Sequence, residues 1–255
     1  LIDLFVRMFQ LIAADIFNFA LAVSALVAVF NGMIHGYTGF GGALIIIPVL
    51  TFFFGPIEAI AIVGLVTMFG AVLLAKKTVH HVKWREIVPI CIGIAAFTPL
   101  GAWYLYHIDA DFVRRLMGGF ILVFAFVLLS GWNYRGKRGL FSSSFVGSIA
   151  GSVNGLTGVG GPPLGLYFLS SPYSVEVQRA NIVFCIAVLT VSMVIASAVG
   201  GAYAIDVIAR ALLLVPIYMS GVWLGSYFFK LAPKDYFRKV ALVILIITGL
   251  CTLIF

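Results

Sequence analysis

The 255-residue chain is 63% hydrophobic and only 10% charged, which excludes an ordinary soluble domain. Its net charge of +7 is not a sign of nucleic-acid binding, because eleven of the sixteen lysines and arginines lie in three short stretches between apolar segments. Apolar runs of about 18 residues or more predict membrane-spanning helices. The predicted fold class is therefore an all-α polytopic membrane protein.

The predicted elements form two halves, each a glycine-interrupted hairpin followed by three spans. Residues 1–15, which mix charged and large apolar side chains, are typical of an amphipathic helix at the membrane interface. The first half (1–132) has a hairpin at 16–54 and spans at 58–75, 87–106 and 112–132. A basic linker at 133–141 leads to the second half (142–255), with a hairpin at 142–171 and spans at 177–200, 207–229 and 236–255.

The basic stretches predict the topology, because loops rich in lysine and arginine stay in the cytoplasm. With all three inside, the span 87–106 runs outward, 207–229 runs inward, and both termini lie outside. Each half then crosses an odd number of times, so the halves are predicted to be inverted repeats, a recurrent plan of secondary transporters. The basic residues are Lys76, Lys77, Lys83 and Arg85; Arg135, Lys137 and Arg138; Lys230, Lys234, Arg238 and Lys239.

Two glycine-rich stretches interrupt apolar segments, one in each half. The first runs from Gly32 to Gly42 and the second, 119 positions later, from Gly151 to Gly161; six of the eleven positions are identical. Irregular backbone is tolerated inside a membrane only where protein covers it or where it lines a cavity. The pair is therefore the first candidate for a functional site.

The lengths of the flanking arms predict how deeply these stretches enter the membrane. The second stretch follows an arm of about 14 residues, roughly 21 Å, and precedes one of about 10, roughly 15 Å. Both are shorter than the hydrocarbon core of about 30 Å, which predicts a re-entrant hairpin with its tip near mid-membrane. The first stretch follows an arm of about 20 residues, so a re-entrant hairpin and two full spans both stay open there.

Helix ends at these tips would suit an anion. A helix beginning at Gly42 or Gly161 would direct its N–H groups and the positive end of its dipole at the tip, and Pro162 suits a first helical position. Two such tips, entering from opposite faces, would make an uncharged anion site at mid-membrane. The predicted binding residues of the tips are Thr38, Gly39, Gly41, Gly42, Thr157, Gly158, Gly160 and Gly161, the threonines as hydroxyl donors.

Three polar residues near the tips are further candidates. His35 and Asn154 occupy matched positions, and either side chain has donors for the substrate or the partner tip. An intramembrane histidine is also a candidate for proton coupling, and a histidine bonded to a backbone carbonyl is the alternative. Arg179 is placed to attract an anion entering from the cytoplasm; the alternative is an interfacial arginine paired with Glu176.

Other patterns in the sequence point away from ligand chemistry. Gly32 and Gly151 belong to small-xxx-small patterns and are interpreted as helix-packing positions. The sequence shows no Ser-His-Asp order, metal-ligand spacing or nucleotide loop, so we expect no enzyme activity, no cofactor and no metal.

The paired motif resembles the sulfite exporter TauE/SafE family. The resemblance rests on Thr38-Gly39-Phe40-Gly41-Gly42 and on Thr157-Gly158-Val159-Gly160-Gly161-Pro162-Pro163, and extends over essentially the whole chain. It implies a carrier of the bacterial inner membrane that exports sulfite or an organosulfonate anion. Ala43-Leu44, where the second copy has two prolines, is a departure that predicts a less rigid first tip.

The functional prediction is a secondary transporter that exports such an anion by alternating access. An anion channel, or an uptake permease for another sulfur-containing or small organic anion, is the alternative. Besides the bilayer and the anion, the sequence identifies no partner: a coupling ion (H⁺ or Na⁺) and a homodimer both stay open.

Overall fold

A computed structural model describes residues 19–130, 134, 136, 138–231 and 243, and every helix or strand assigned within them is a helix. The helices are α1 (Phe19–Thr38), α2 (Ile46–Phe54), α3 (Pro56–Thr78), α4 (Trp84–His107), α5 (Ala110–Leu129), α6 (Leu140–Thr157), α7 (Gly161–Leu169), α8 (Val175–Val199) and α9 (Ile205–Leu231), with a 3₁₀ turn at Val79–His81. The all-α prediction is confirmed.

Five of the described helices are long and apolar enough to cross a membrane: α1, α3 with its 3₁₀ turn, α4, α8 and α9. The predicted spans at 58–75, 87–106, 177–200 and 207–229 coincide with α3, α4, α8 and α9, and 112–132 overlaps α5. The span predicted at 236–255 and the interfacial segment 1–15 lie outside the described residues.

Each glycine-rich stretch separates a long helix from a short one. The short helices α2 and α7 have nine residues each, about 13.5 Å at 1.5 Å per residue, far less than a bilayer core of about 30 Å. The arm before the second stretch is longer than expected, because α6 extends over 18 residues, about 27 Å. Its length therefore does not place the second tip at mid-membrane.

Glycines set the closest helix contacts, which join elements of different halves. On α1, a Cβ atom at Gly36 would lie 2.9 Å from the backbone nitrogen of Ser226 on α9, and one at Gly32 would lie 3.0 Å from that of Val222. Along α6, Gly151 faces α4, and a Cβ atom there would lie 2.9 Å from the carbonyl oxygen of Ile94. Side chains would hold these backbones apart, so the packing interpretation of Gly32 and Gly151 agrees with their surroundings.

The order of these contacts gives the helix directions. Gly147 meets Ile90, and eight residues later Gly155 meets Thr98, so α6 runs parallel to α4. In the same way, Gly32 meets Val222 and, four residues later, Gly36 meets Ser226, so α1 runs parallel to α9. Helix α3, the most buried of the five candidate spans, packs against α8 between the two pairs.

Candidate functional site

The two long helices end in the same way at the glycine-rich stretches. Helix α1 ends before Gly39 (φ 83°) and α6 before Gly158 (φ 72°), both in the left-handed conformation that glycine adopts without steric cost. The N–H of each glycine donates to the carbonyl four residues earlier, that of His35 at 2.8 Å and that of Asn154 at 2.7 Å. This bond is a common helix stop, and it explains why both copies carry glycine there.

The threonines that precede these glycines stabilise the helix ends. The Thr157 hydroxyl donates to the Val153 carbonyl (2.7 Å) and accepts the N–H of Val159 (3.2 Å). Thr38 makes the matching bonds, to the Ile34 carbonyl (2.8 Å) and from the N–H of Phe40 (3.2 Å). Neither residue lines the cavity described next, and the role of the two hydroxyls as ligand donors stays a prediction.

The two breaks meet around one cavity of about 40 Å³. The approach is close: a Cβ atom on Gly161 would lie 3.8 Å from the backbone nitrogen of Gly41. Seven of the eleven predicted binding residues line the cavity: His35, Gly41, Gly42, Asn154, Gly158, Gly160 and Gly161.

The remaining walls come mainly from the middle of α3 and α8. They are mostly aliphatic, and no Lys, Arg, Asp or Glu is present among the described lining residues. The polar surface is therefore glycine backbone and a few uncharged side chains in an apolar surround, where each hydrogen bond to a ligand is strengthened. The wall residues are Ala43, Leu44, Ile47, Ile60, Val63, Gly64, Thr67, Val159, Ile186, Leu189, Thr190 and Met193.

One of the two helix starts at the breaks differs from the expectation, and the other has fewer N–H groups than expected. Helix α7 begins at Gly161 as predicted, but Pro162 and Pro163 follow within its first turn, and proline has no N–H. Helix α2 begins at Ile46 rather than at Gly42. The reason is Asn31: with its amide nitrogen toward Gly41, it donates to that carbonyl (2.9 Å) and accepts the N–H of Ile46 (2.7 Å).

The matched residues His35 and Asn154 use their polar atoms differently. The Asn154 amide donates to the Leu189 carbonyl (3.3 Å) and accepts the N–H of Gly160 (3.3 Å). His35 is fully buried, and its Nδ1 is hydrogen-bonded to the hydroxyl of Tyr218. Its Nε2 has no hydrogen-bond partner among the described residues.

Arg179 is buried (7% exposed) but is not among the residues that line the cavity. Its guanidinium donates to the carbonyls of Gly36 (2.5 Å) and Tyr37 (3.1 Å) and lies 4.2 Å from the centre of the Phe229 ring. It therefore stabilises the carbonyl end of α1, where a cation is favoured. Gly39 lies against it, since a Cβ atom added at Gly39 would be 3.3 Å from Arg179 Cγ.

The sequence interpretation missed Tyr218 and underrated Asn31. Tyr218 is 183 positions from His35 and belongs to no motif, so only tertiary structure brings it to the site. Asn31 had a detectable signal, since it is a polar residue in an apolar helix directly before the first motif.

A larger cavity, of about 730 Å³, lies beside the first basic loop and contains none of the predicted binding residues. Its lining includes Lys83, Arg85 and the ion pair between Glu86 and Arg138 (3.0 Å).

Comparison with known proteins places this arrangement in a family. The model of the family described as "Sulfite exporter TauE/SafE" matches residues 24–252. The chain belongs to the sulfite exporter TauE/SafE family. It is a multi-pass membrane protein of a transporter family, and the resemblance seen in the TauE/SafE motifs is confirmed.

A curated TauE/SafE relative also matches. It is the "Probable sulfite/organosulfonate exporter TauE" of Cupriavidus necator, 27% identical over 220 residues, which are 83% of this chain and 85% of the relative. No solved structure matches the chain.

Proposed function

We propose that the protein exports sulfite, or a small organosulfonate, by alternating access, with the anion held in the cavity between the two glycine breaks. The observation that carries this proposal is the meeting of the two breaks: segments 119 positions apart in sequence line one cavity together. Family membership supports the anion class, because the curated relative is named as a probable sulfite/organosulfonate exporter.

The lining suits a carried anion. Backbone N–H groups of the glycine stretches can stabilise negative charge without a fixed cation, whereas the two prolines in the first turn of α7 leave that helix end few N–H groups to offer. Arg179 of α8 is buried close to the first break, but it binds carbonyl oxygens at the end of α1 instead of lining the cavity. A neutral site holds an anion less tightly than a buried arginine would, so the anion can leave again.

Cavity size favours a compact substrate. The cavity of about 40 Å³ exceeds the roughly 10–15 Å³ that a single water molecule needs. A sulfite ion, with three oxygens around one sulfur, is a compact ligand for such a space. A longer organosulfonate would need the cavity to widen.

The position of the cavity fits alternating access. Its lining on α8 runs from Ile186 to Met193, the middle of a helix that extends from Val175 to Val199. We place the cavity near mid-membrane on this ground. The parallel directions of α1 with α9 and of α6 with α4 also agree with hairpins entering from opposite faces of the bacterial inner membrane, with both termini outside.

Transport by purified protein in proteoliposomes tests the proposal. We expect uptake of sulfite into sulfite-loaded vesicles to exceed uptake into empty vesicles, because a carrier exchanges its substrate across the membrane. Flux that does not respond to sulfite on the opposite side would indicate a channel. Absence of sulfite flux, alongside flux of a cation, would refute the proposal. Cysteine labelling from outside intact cells at introduced terminal sites would test the orientation.

A further inference from the structure

The His35–Tyr218 contact joins a glycine break to a full-length helix. Tyr218 lies on α9, and both side chains are fully buried. Their hydrogen bond connects the Nδ1 atom of His35 with the Tyr218 hydroxyl. Gly42 makes this contact fit, because a Cβ atom there would lie 2.7 Å from His35 Nδ1.

The available hydrogen-bond partners determine which atom of this pair carries the shared hydrogen. In the described part of the chain, the Tyr218 hydroxyl has no hydrogen bond besides the one to His35. If Nδ1 carried the hydrogen, the phenol hydrogen would be buried without an acceptor, which costs about 1–3 kcal/mol. The phenol therefore donates to Nδ1, and a neutral imidazole then carries its hydrogen on Nε2.

That Nε2–H is the one ring donor of His35 left for a ligand. His35 lines the cavity, and Nε2 is its remaining polar ring atom, without a partner in the described residues. The matched residue of the other half, Asn154, already uses its amide nitrogen and oxygen on Leu189 and Gly160. The two breaks are therefore unequal, and the first one offers the side-chain donor.

We propose that Tyr218 is a positioning residue that holds His35 as the Nε2–H tautomer, so that a neutral imidazole donates a hydrogen bond to an oxygen of the bound sulfur oxyanion. This inference rests on the proposed function and names the donor of that site. His35 thus acts as a ligand, and no proton is carried with the substrate.

Charged and titratable groups around His35 agree with a neutral donor. Tyr218 contacts it from α9, and the Arg179 guanidinium approaches from α8, bonded to the Gly36 carbonyl next to His35. Tyr37 is on the same helix, α1. The lining from α3 and α7 contributes no titratable side chain, so no carboxylate there favours an imidazolium.

Four variants test the assignment through the KM for sulfite in proteoliposomes. A hydrogen bond to a charged group contributes about 1.5–3 kcal/mol, so His35→Leu should raise KM about 10- to 150-fold. His35→Gln retains an N–H donor near the position of Nε2 and should recover part of the affinity. His35→Asn retains a partner for Tyr218 but is too short to replace Nε2, so it should resemble His35→Leu. Tyr218→Phe should raise KM with little change in maximal rate.

Double substitution separates positioning from a structural role. If Tyr218 acts through His35, Tyr218→Phe should have no further effect on KM in the His35→Leu background. A rise in KM of equal size in both backgrounds, or an unchanged KM in Tyr218→Phe alone, would overturn the inference. Wild-type protein that moves no sulfite would instead reject the proposed function itself.

Methanesulfonate tests the absence of proton transfer, because its sulfonate stays ionised where sulfite itself titrates. Methanesulfonate can be used as a substrate or as a competitor of sulfite uptake. Its affinity for the wild-type protein should be constant between about pH 6 and pH 8, because the His35 donor is neutral throughout that range. Acidification or alkalinisation of the vesicle lumen coupled to methanesulfonate flux, or an affinity that follows a histidine titration, would overturn the inference in favour of proton coupling.

Discussion

A methyl group added at Gly161 would enter the space between the two breaks. The new Cβ atom would lie 3.4 Å from Ile186 Cδ1, 3.7 Å from Phe40 Cβ and 3.8 Å from the Gly41 nitrogen. These are ordinary van der Waals distances, so Gly161→Ala should fold. Overfilling a packed site by a methyl group costs about 1–3 kcal/mol. We therefore expect sulfite affinity to fall about 5- to 150-fold.

The assay is sulfite transport in proteoliposomes, with thermal unfolding in detergent as the measure of folding. Gly119→Ala is the matched control, because Gly119 also lies in a described helix and a Cβ atom there meets nothing within 4 Å. Its transport should equal that of the wild type. An unchanged KM in Gly161→Ala, with an unchanged Tm, would show that the anion does not occupy the space between the breaks.

Three further substitutions test the surrounding framework. Thr157→Val removes the bonds to Val153 and Val159 and should lower the free energy of unfolding by about 1–3 kcal/mol. Thr157→Ser keeps the hydroxyl and should leave the free energy of unfolding unchanged. The KM of the folded protein should stay the same in both variants. Gly225→Ala places a Cβ 2.9 Å from the Cα of Met33 on α1, so Tm should fall well below that of Gly119→Ala. Arg179→Lys cannot reproduce the forked bonds to two carbonyls and should also lower Tm; an unchanged Tm would contradict the end-capping role.

Local chemistry made the glycine breaks predictable. A threonine followed by glycine inside an apolar run is a helix stop with a defined hydrogen-bond pattern, and the same pattern is found after α1 and after α6. Gly32 and Gly151 likewise indicated close helix packing from the sequence alone, because a residue without a side chain lets two helix backbones approach each other. The predicted inverted relation of the halves stays a prediction.

The structure differs from the sequence-based expectations where hydrogen bonds that no sequence pattern shows occupy the polar groups concerned. Asn31 takes the N–H of Ile46, so α2 starts four residues later than Gly42. Thr38 and Thr157 donate their hydroxyl protons within the helix ends, and their role as ligand donors stays a prediction. Arg179 binds carbonyls of α1, and its role in attracting an anion from the cytoplasm stays a prediction.

The amino-acid sequence by itself determined the membrane class, the family and the positions of the two breaks, because apolar length, charge clusters and glycine act through local physics. Only the tertiary structure decided that both breaks line one cavity, that α3 and α8 wall it, and that Tyr218 contacts His35 across 183 positions. Such contacts depend on how helices from different halves pack, and no local pattern in the chain encodes which side chains lie against Gly42.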